Sequence, residues 1–281
     1  MENRTLTDAH ITAYARSLRE EERAPATIEK YLRNLRFFSA WLEGRPVTKD
    51  LAARWKESLL AQGLTPATVN GRLAAVNGLF CFLGWNDCRV RALKVQRKVF
   101  RDGSRDLSRG EYKRLVETAL RLKLEWLALV METICSTGIR VSEVRFITVE
   151  AAMTRRADVM LKGKLRTILL PDKLCRKLLK FAGKEKIVSG EIFLAEDGKS
   201  ISRCRIWREM KALCKAAGVE SSKVFPHNLR HLFAVCFYRA ARDIVKLADM
   251  LGHSSINTTR IYLLSTGAEH ARQLEKLGLV S

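Results

Sequence analysis

The sequence predicts a mainly α-helical protein of two domains, with one small β-sheet in the second. Three observations predict this. The chain has 281 residues, enough for about two domains. Apolar residues recur at helical spacing through most of it, while strand-like patterning is confined to residues 157–171. A basic, turn-rich stretch interrupts the helical pattern near residue 100.

Residues 1–90 read as a helical domain. In TIEKYLRNLRFFSAWL (27–42), apolar side chains at 28, 31, 32, 35, 38, 41 and 42 form a helical stripe. LTPATVNGRLAAVNGLFCFLG begins with Thr65 as an N-cap and Pro66 at the first helical position. Its start resembles APATIEKYLRNL (24–35), which reads as a repeated helix-start signal rather than a repeat architecture. RALKVQRKVFRDGSR (91–105) has six basic residues, one acid, no helical stripe and an Asp-Gly-Ser turn. It reads as an interdomain linker. Arg97, Lys98 and Arg101 are basic enough to lie on a phosphate backbone, although simple solvation accounts for them equally.

Residues 106–281 read as the second domain. Ser108 and Glu111 form a capping box before an apolar run. A second helix runs through EWLALVMETICSTG and stops near Gly138. ADVMLKGKLRTILLP reads as two short strands around a tight turn at Lys162, Gly163 and Lys164, ended by Pro171. Helices follow in PDKLCRKLLKFAG, SRCRIWREMKALCKAAG, HNLRHLFAVCFYRA and DIVKLADMLG.

Charge narrows the function classes. The chain carries a net +21. Residues 1–90 hold 13 Lys and Arg against 10 Asp and Glu, and the rest hold 38 against 20, so the excess lies from residue 91 onward. Such an excess suits a polyanionic partner, most simply nucleic acid. The seven cysteines lack C-x-x-C spacing, so no zinc or redox motif is expected, and they read as reduced core residues. No secretory leader and no apolar run of membrane-spanning length is found, which leads to an expectation of a cytoplasmic protein.

Four islands carry residue types suited to phosphate chemistry. Arg140 stands in STGIRVSEV just after a glycine helix stop; alone, it reads as an exposed helix arginine. Lys162 and Lys164 flank Gly163, as in many solvated hairpin tips. His227, Arg230 and His231 share a helix face in PHNLRH. A metal site there is disfavoured, because Asn228 stands where H-E-x-x-H has its glutamate and Arg230 would set a cation beside the metal. Arginine instead forks onto phosphate oxygens. Finally LGHSSINTTRIY sets Tyr262 nine residues after His253, with Gly252 ending one helix and Ser254 or Ser255 capping the next. On that next helix Tyr262 shares a face with Thr258 and Thr259; alone, it reads as packing.

In this order the islands resemble the tyrosine recombinase (phage-type integrase) family over nearly the whole chain. KVFPHNLRHLFA and LADMLGHSSINTTRIY are especially similar to integrases of bacterial mobile elements. The resemblance implies a two-domain clamp on duplex DNA, with residues 1–90 as a helical core-binding domain and 106–281 as the catalytic domain. It implies site-specific recombination, in which Tyr262 attacks a phosphodiester and forms a 3′-phosphotyrosyl intermediate. Arg140 and Arg230 then bind the non-bridging oxygens, His253 donates a further hydrogen bond, and His227 has a supporting acid–base role. Lys162 protonates the leaving 5′-oxygen, with Lys164 as the alternative because the hairpin is one residue shorter than the family's common G-K-G-x-K. Glu143 orients Arg140, and His231 receives no role.

No metal or cofactor is implied. The expected partners are double-stranded recombination sites, a homotetramer on synapsed DNA formed from solution monomers, and accessory DNA-bending proteins. A bacterial, nucleoid-associated location follows by the same analogy. Lys164, Arg203, Arg205, Arg208 and Lys211 are further DNA-contact candidates. The competing readings are a topoisomerase-like relaxing enzyme and a catalytically silent architectural DNA-binding protein.

Overall fold

The computed structural model describes residues 4–95, 103–161, 164–262 and 275–277. The chain divides into two compact units, Met1–Arg97 and Lys98–Ser281. Arg97, Lys98, Arg101 and Lys162, all singled out above, lie outside the described residues, as does most of the tail after Tyr262.

The first unit holds helices α1 (Asp8–Glu20), α2 (Pro25–Leu42), α3 (Lys49–Ala61) and α4 (Pro66–Phe82). Thr65 caps α4 through the Thr68 N–H, with Pro66 in the first turn where no amide donor is needed. The stripe of α2 turns inward: Phe38 packs on Trp55 of α3 and Phe80 of α4, with ring centroids 4.8 and 5.9 Å apart. Two asparagines of α4 act as backbone mimics. Asn77 makes two hydrogen bonds to Val90 (2.8 and 3.0 Å), and Asn70 makes two to Leu93 (2.9 and 2.8 Å). Arg91 to Leu93, the start of the stretch read as linker, are therefore strapped to α4.

The second unit holds α5 (Arg109–Arg121), α6 (Glu125–Thr137), α7 (Val149–Thr154), strands β1 (Arg156–Leu161) and β2 (Lys164–Leu169), α8 (Asp172–Lys184), α9 (Arg203–Ala217), α10 (Pro226–Ala241), α11 (Ile244–Leu251) and α12 (Ile256–Arg260). The Ser108–Glu111 capping box opens α5 as expected. Helix α6 is apolar on most of its surface and lies in the core, with Leu127, Val130, Met131 and Ile134 buried against α5, α8 and α10. Strands β1 and β2 form an antiparallel hairpin in which Leu161 pairs with Lys164 and Val159 with Arg166. Lys164 is thus the first residue of β2 rather than part of the turn. The hairpin's inner face carries Ala157, Val159 and Ile168, while Met160, Leu165 and Leu169 face solvent. Cys81 and Cys204 are exposed, which corrects their reading as core residues; all seven cysteines are unpaired.

Candidate active site

Two helix ends and one arginine form the frame of the site. Helix α6 stops at Gly138 (φ +69°) and α11 at Gly252 (φ +63°), both in the left-handed conformation that glycine adopts most readily. These stops leave late carbonyls without helical partners, at the negative ends of two helix dipoles. Arg230, from the second turn of α10, answers both. It donates from Nη1 to the Gly138 carbonyl (2.6 Å) and from Nη2 to the Leu251 carbonyl (2.7 Å). Its residue exposure is only 2%. Burial first, then the charge of Arg140, pulls its pKa below the ordinary guanidinium value, and contact with Tyr262 opposes the shift.

The same Nη2 reaches His253 Nε2 at 2.9 Å. A guanidinium can only donate, so Nε2 accepts here and the ring proton sits on Nδ1, which bonds the Thr259 hydroxyl at 2.8 Å. Burial and the cations Arg230, Arg140 and Arg166 push the His253 pKa down to about 4. His227 is also shifted down, by burial and then by Arg230 and Arg140.

Arg140 lies just beyond the α6 stop, with 44% of its side chain exposed. Its Nη1 meets Glu143 Oε1 at 3.0 Å, and its backbone N–H meets Oε2 at 2.7 Å. Of the two arginines it is the one that faces solvent. Glu143 is buried and holds a second cation, Arg166 of β2, at 2.6 Å. Sequence reasoning missed Arg166. A strand arginine four residues after Lys162 has no local signature, since its acidic partner is 23 positions away.

Tyr262 is buried, 4% exposed, among Phe233, Ala234, Leu247 and Leu251. Helix α12 ends at Arg260, so a turn closed by the bond from the Tyr262 N–H to the Thr259 carbonyl (3.0 Å) positions the tyrosine. This corrects the expected shared helix face: Thr259 is buried beside Tyr262, while Thr258 is exposed. Ser255 is the cap of α12. Three histidine rings surround the phenol. His253 stacks at 5.9 Å with an interplanar angle of 9°, His227 lies at 6.0 Å, and His231 at 5.4 Å. His231, given no role from sequence, has Nδ1 4.0 Å from Asp106 Oδ1.

The structure therefore gathers Arg140, Glu143, His227, Arg230, His253 and Tyr262. Three of the four α9 candidates have partners outside this cluster. Arg205 pairs with Glu196 at 3.1 Å and lies over Trp126. Lys211 bonds the Ser221 carbonyl and lies over Trp207. Arg208 is within 3.6 Å of Glu209, and Arg203 is exposed. Among the described residues, no group of three or more His, Cys, Asp and Glu side chains is set to hold a metal ion. No described helix is long and apolar enough to cross a membrane.

A family model described as the phage integrase family matches residues 105–269, more than half of the chain. The chain belongs to this family. It is a tyrosine-type site-specific recombinase. A phage integrase N-terminal SAM-like domain matches residues 11–87. The recombinase is 28% identical to the tyrosine recombinase XerA of Pyrococcus furiosus, over 100% of this chain and 98% of that protein. It is 30% identical to XerC of Roseiflexus castenholzii, over 90% of this chain and 87% of the relative. In fold it matches a lambda integrase dimer bound to a COC′ core site, with a TM-score of 0.73 at 19% identity, covering 92% and 78% of the two chains.

Proposed function

We propose that Tyr262 is the nucleophile of this recombinase, and that Arg140, His227, Arg230, His253 and Lys162 complete its catalytic set. The observation that supports the reading is the meeting of side chains from separate segments around one tyrosine. His227 and Arg230 come from α10, His253 follows α11, and Arg140 follows α6. Core packing alone calls for apolar neighbours. It does not call for three imidazoles and a buried guanidinium.

The chemistry has two demands. The Tyr262 phenolic oxygen bonds to phosphorus while the bond to O5′ breaks. The phenol proton leaves toward His227, and the 5′-oxygen takes a proton from Lys162. Charge gathers on the non-bridging oxygens in between, and fixed cations stabilise that transition state more than the ground state. Arg140 is the exposed cation and meets the phosphate first. His253 donates once its ring leaves Arg230 and the proton moves to Nε2. The Thr259 hydroxyl then reverses its role and donates to Nδ1. Because Tyr262 is buried, cleavage requires it to turn out of its pocket. The resulting 3′-phosphotyrosyl bond is resolved by the 5′-hydroxyl of another strand.

The substrates are duplex recombination sites of a mobile element. Chains that are monomers in solution assemble as a homotetramer on synapsed DNA, where the segment after Tyr262 docks on a neighbour. A lambda integrase tetramer bound to a Holliday junction is among the fold relatives (TM-score 0.73) and is consistent with this order. Accessory DNA-bending proteins assist, and the protein works in the bacterial cytoplasm on nucleoid DNA. Lys162, or Lys164 in its place, acts from the hairpin. Arg97, Lys98, Arg101, Arg203, Arg205, Arg208 and Lys211 contact the DNA backbone.

Incubation with a nicked suicide duplex tests the nucleophile. Wild-type protein forms a covalent adduct, while Tyr262→Phe binds the same duplex and forms none. An undiminished adduct in the variant would falsify the assignment.

A further inference from the structure

Arg166 is an expensive residue to keep inside a hairpin. It stands on the inner face of β2 opposite Val159, beside Ala157 and Ile168, with only 15% of its side chain exposed. Burial holds its pKa below the ordinary guanidinium value, and Glu143 only partly offsets this. Its Nε is buried and makes no hydrogen bond among the described residues. A buried ion pair of this kind is often no more stabilising than apolar side chains of the same volume. Stability therefore does not account for an arginine here.

Its contacts suggest what does. Nη2 meets Glu143 Oε2 at 2.6 Å, on the carboxylate whose other oxygen holds Arg140 Nη1 at 3.0 Å. Nη1 reaches the Met250 carbonyl in the last turn of α11 at 3.3 Å. The side chain also fills the space beside Gly252: a Cβ there would lie 2.6 Å from both Cδ and Nη1 of Arg166. Gly252 directly precedes His253. One guanidinium thus touches the mount of Arg140 and the approach to His253. It is also carried on the strand that begins two residues after Lys162.

We infer that Arg166 is a positioning residue for DNA cleavage, which directs Arg140 through Glu143 and sets the His253 segment through Met250 and Gly252. The inference rests on the assignment of Arg140 to the scissile phosphate. Glu143 divides its charge between two arginines: Oε1 takes Arg140 Nη1, while Oε2 takes both the Arg140 backbone N–H and Arg166 Nη2. With Arg166 gone, the carboxylate keeps both bonds to Arg140, and its undivided charge draws that guanidinium off the phosphate.

The test compares two nicked suicide duplexes in single-turnover adduct formation at saturating DNA. One has an ordinary scissile phosphate, and the other a methylphosphonate in which a methyl group replaces one charged oxygen. Arg140→Ala should lose activity on the phosphate and much less on the methylphosphonate, which needs one cation fewer. Arg166→Leu should follow that pattern. We expect a loss of about tenfold or more on phosphate, the scale of one misdirected charge-assisted hydrogen bond, and within about threefold of wild type on methylphosphonate. Arg166→Lys keeps one bond to Glu143 and should show the same dependence with a smaller loss, so it serves if the leucine variant does not fold. Equal fractional losses on both duplexes, or no loss on phosphate, would overturn the positioning role. If Arg140→Ala itself loses equally on both, the assignment of Arg140 fails first and the inference falls with it.

Discussion

Replacing Gly138 by alanine probes the frame that holds Arg230. Two terms set the magnitude. The backbone at Gly138 has φ +69°, which an L side chain adopts at a cost of about 1 kcal/mol. The new Cβ would also stand 2.4 and 2.6 Å from Cδ1 and Cε1 of Phe233, and 3.0 Å from a Leu251 methyl. The Phe233 ring is packed with Leu247, Leu251 and Tyr262 and has little room to retreat, so overpacking adds about 1–3 kcal/mol. The total is about 2–4 kcal/mol. Gly218→Ala is the matched control. Gly218 caps α9 at φ +59°, and nothing lies within 4 Å of its added Cβ, so only the backbone term of about 1 kcal/mol applies.

Hydrogen exchange on the intact chain, read at the slowest amides of α6, reports opening of the second unit for both variants. Adduct formation should fall in Gly138→Ala beyond what stability explains, because the Gly138 carbonyl is a direct partner of Arg230. If the two variants differ by less than about 0.5 kcal/mol, the packing argument is wrong. Destabilisation with unchanged cleavage would mean that Gly138 does not help to position Arg230.

Two further outcomes follow. His253 is held down to about 4 in the fold, against an ordinary value near 6.5. The unfolded chain therefore takes up a proton first, and the stability contributed by the neutral ring is lost as pH falls from about 6.5 toward about 4. Melting temperatures of wild type and His253→Gln across this range should converge at the acid end, and parallel curves would contradict the shift. For the hairpin, a 5′-bridging phosphorothiolate duplex should restore cleavage to Lys162→Ala, because a thiolate leaves without a proton. Rescue of Lys164→Ala instead would move the general acid to the first residue of β2.

Local signals act over a few residues, and these were legible in the sequence. The Ser108–Glu111 box, the Thr65–Pro66 start and the stops at Gly138 and Gly252 each involve groups within one helical turn. The hairpin was legible for the same reason, since its ladder closes across a short turn. The candidate residues Arg140, His227, Arg230, His253 and Tyr262 were legible through their order and spacing, which a family resemblance can read without knowing any distance.

The tertiary structure decided what those residues touch. Arg230 bonds carbonyls 92 and 21 positions away rather than standing open, Arg166 finds Glu143 across 23 positions, and His231 comes to rest beside Tyr262. The composition of the Tyr262 pocket was hidden for the same reason, because α10 and α11 make it and not the residues next to Tyr262 in the chain. So the sequence alone determined most of the helices, the hairpin and the candidate residue types. Which arginine faces solvent, which histidine nitrogen carries the proton and what mounts each cation were decided only by the packed chain. Hydrogen-bond partners and desolvation are properties of closure in space, and no periodicity along the chain encodes them.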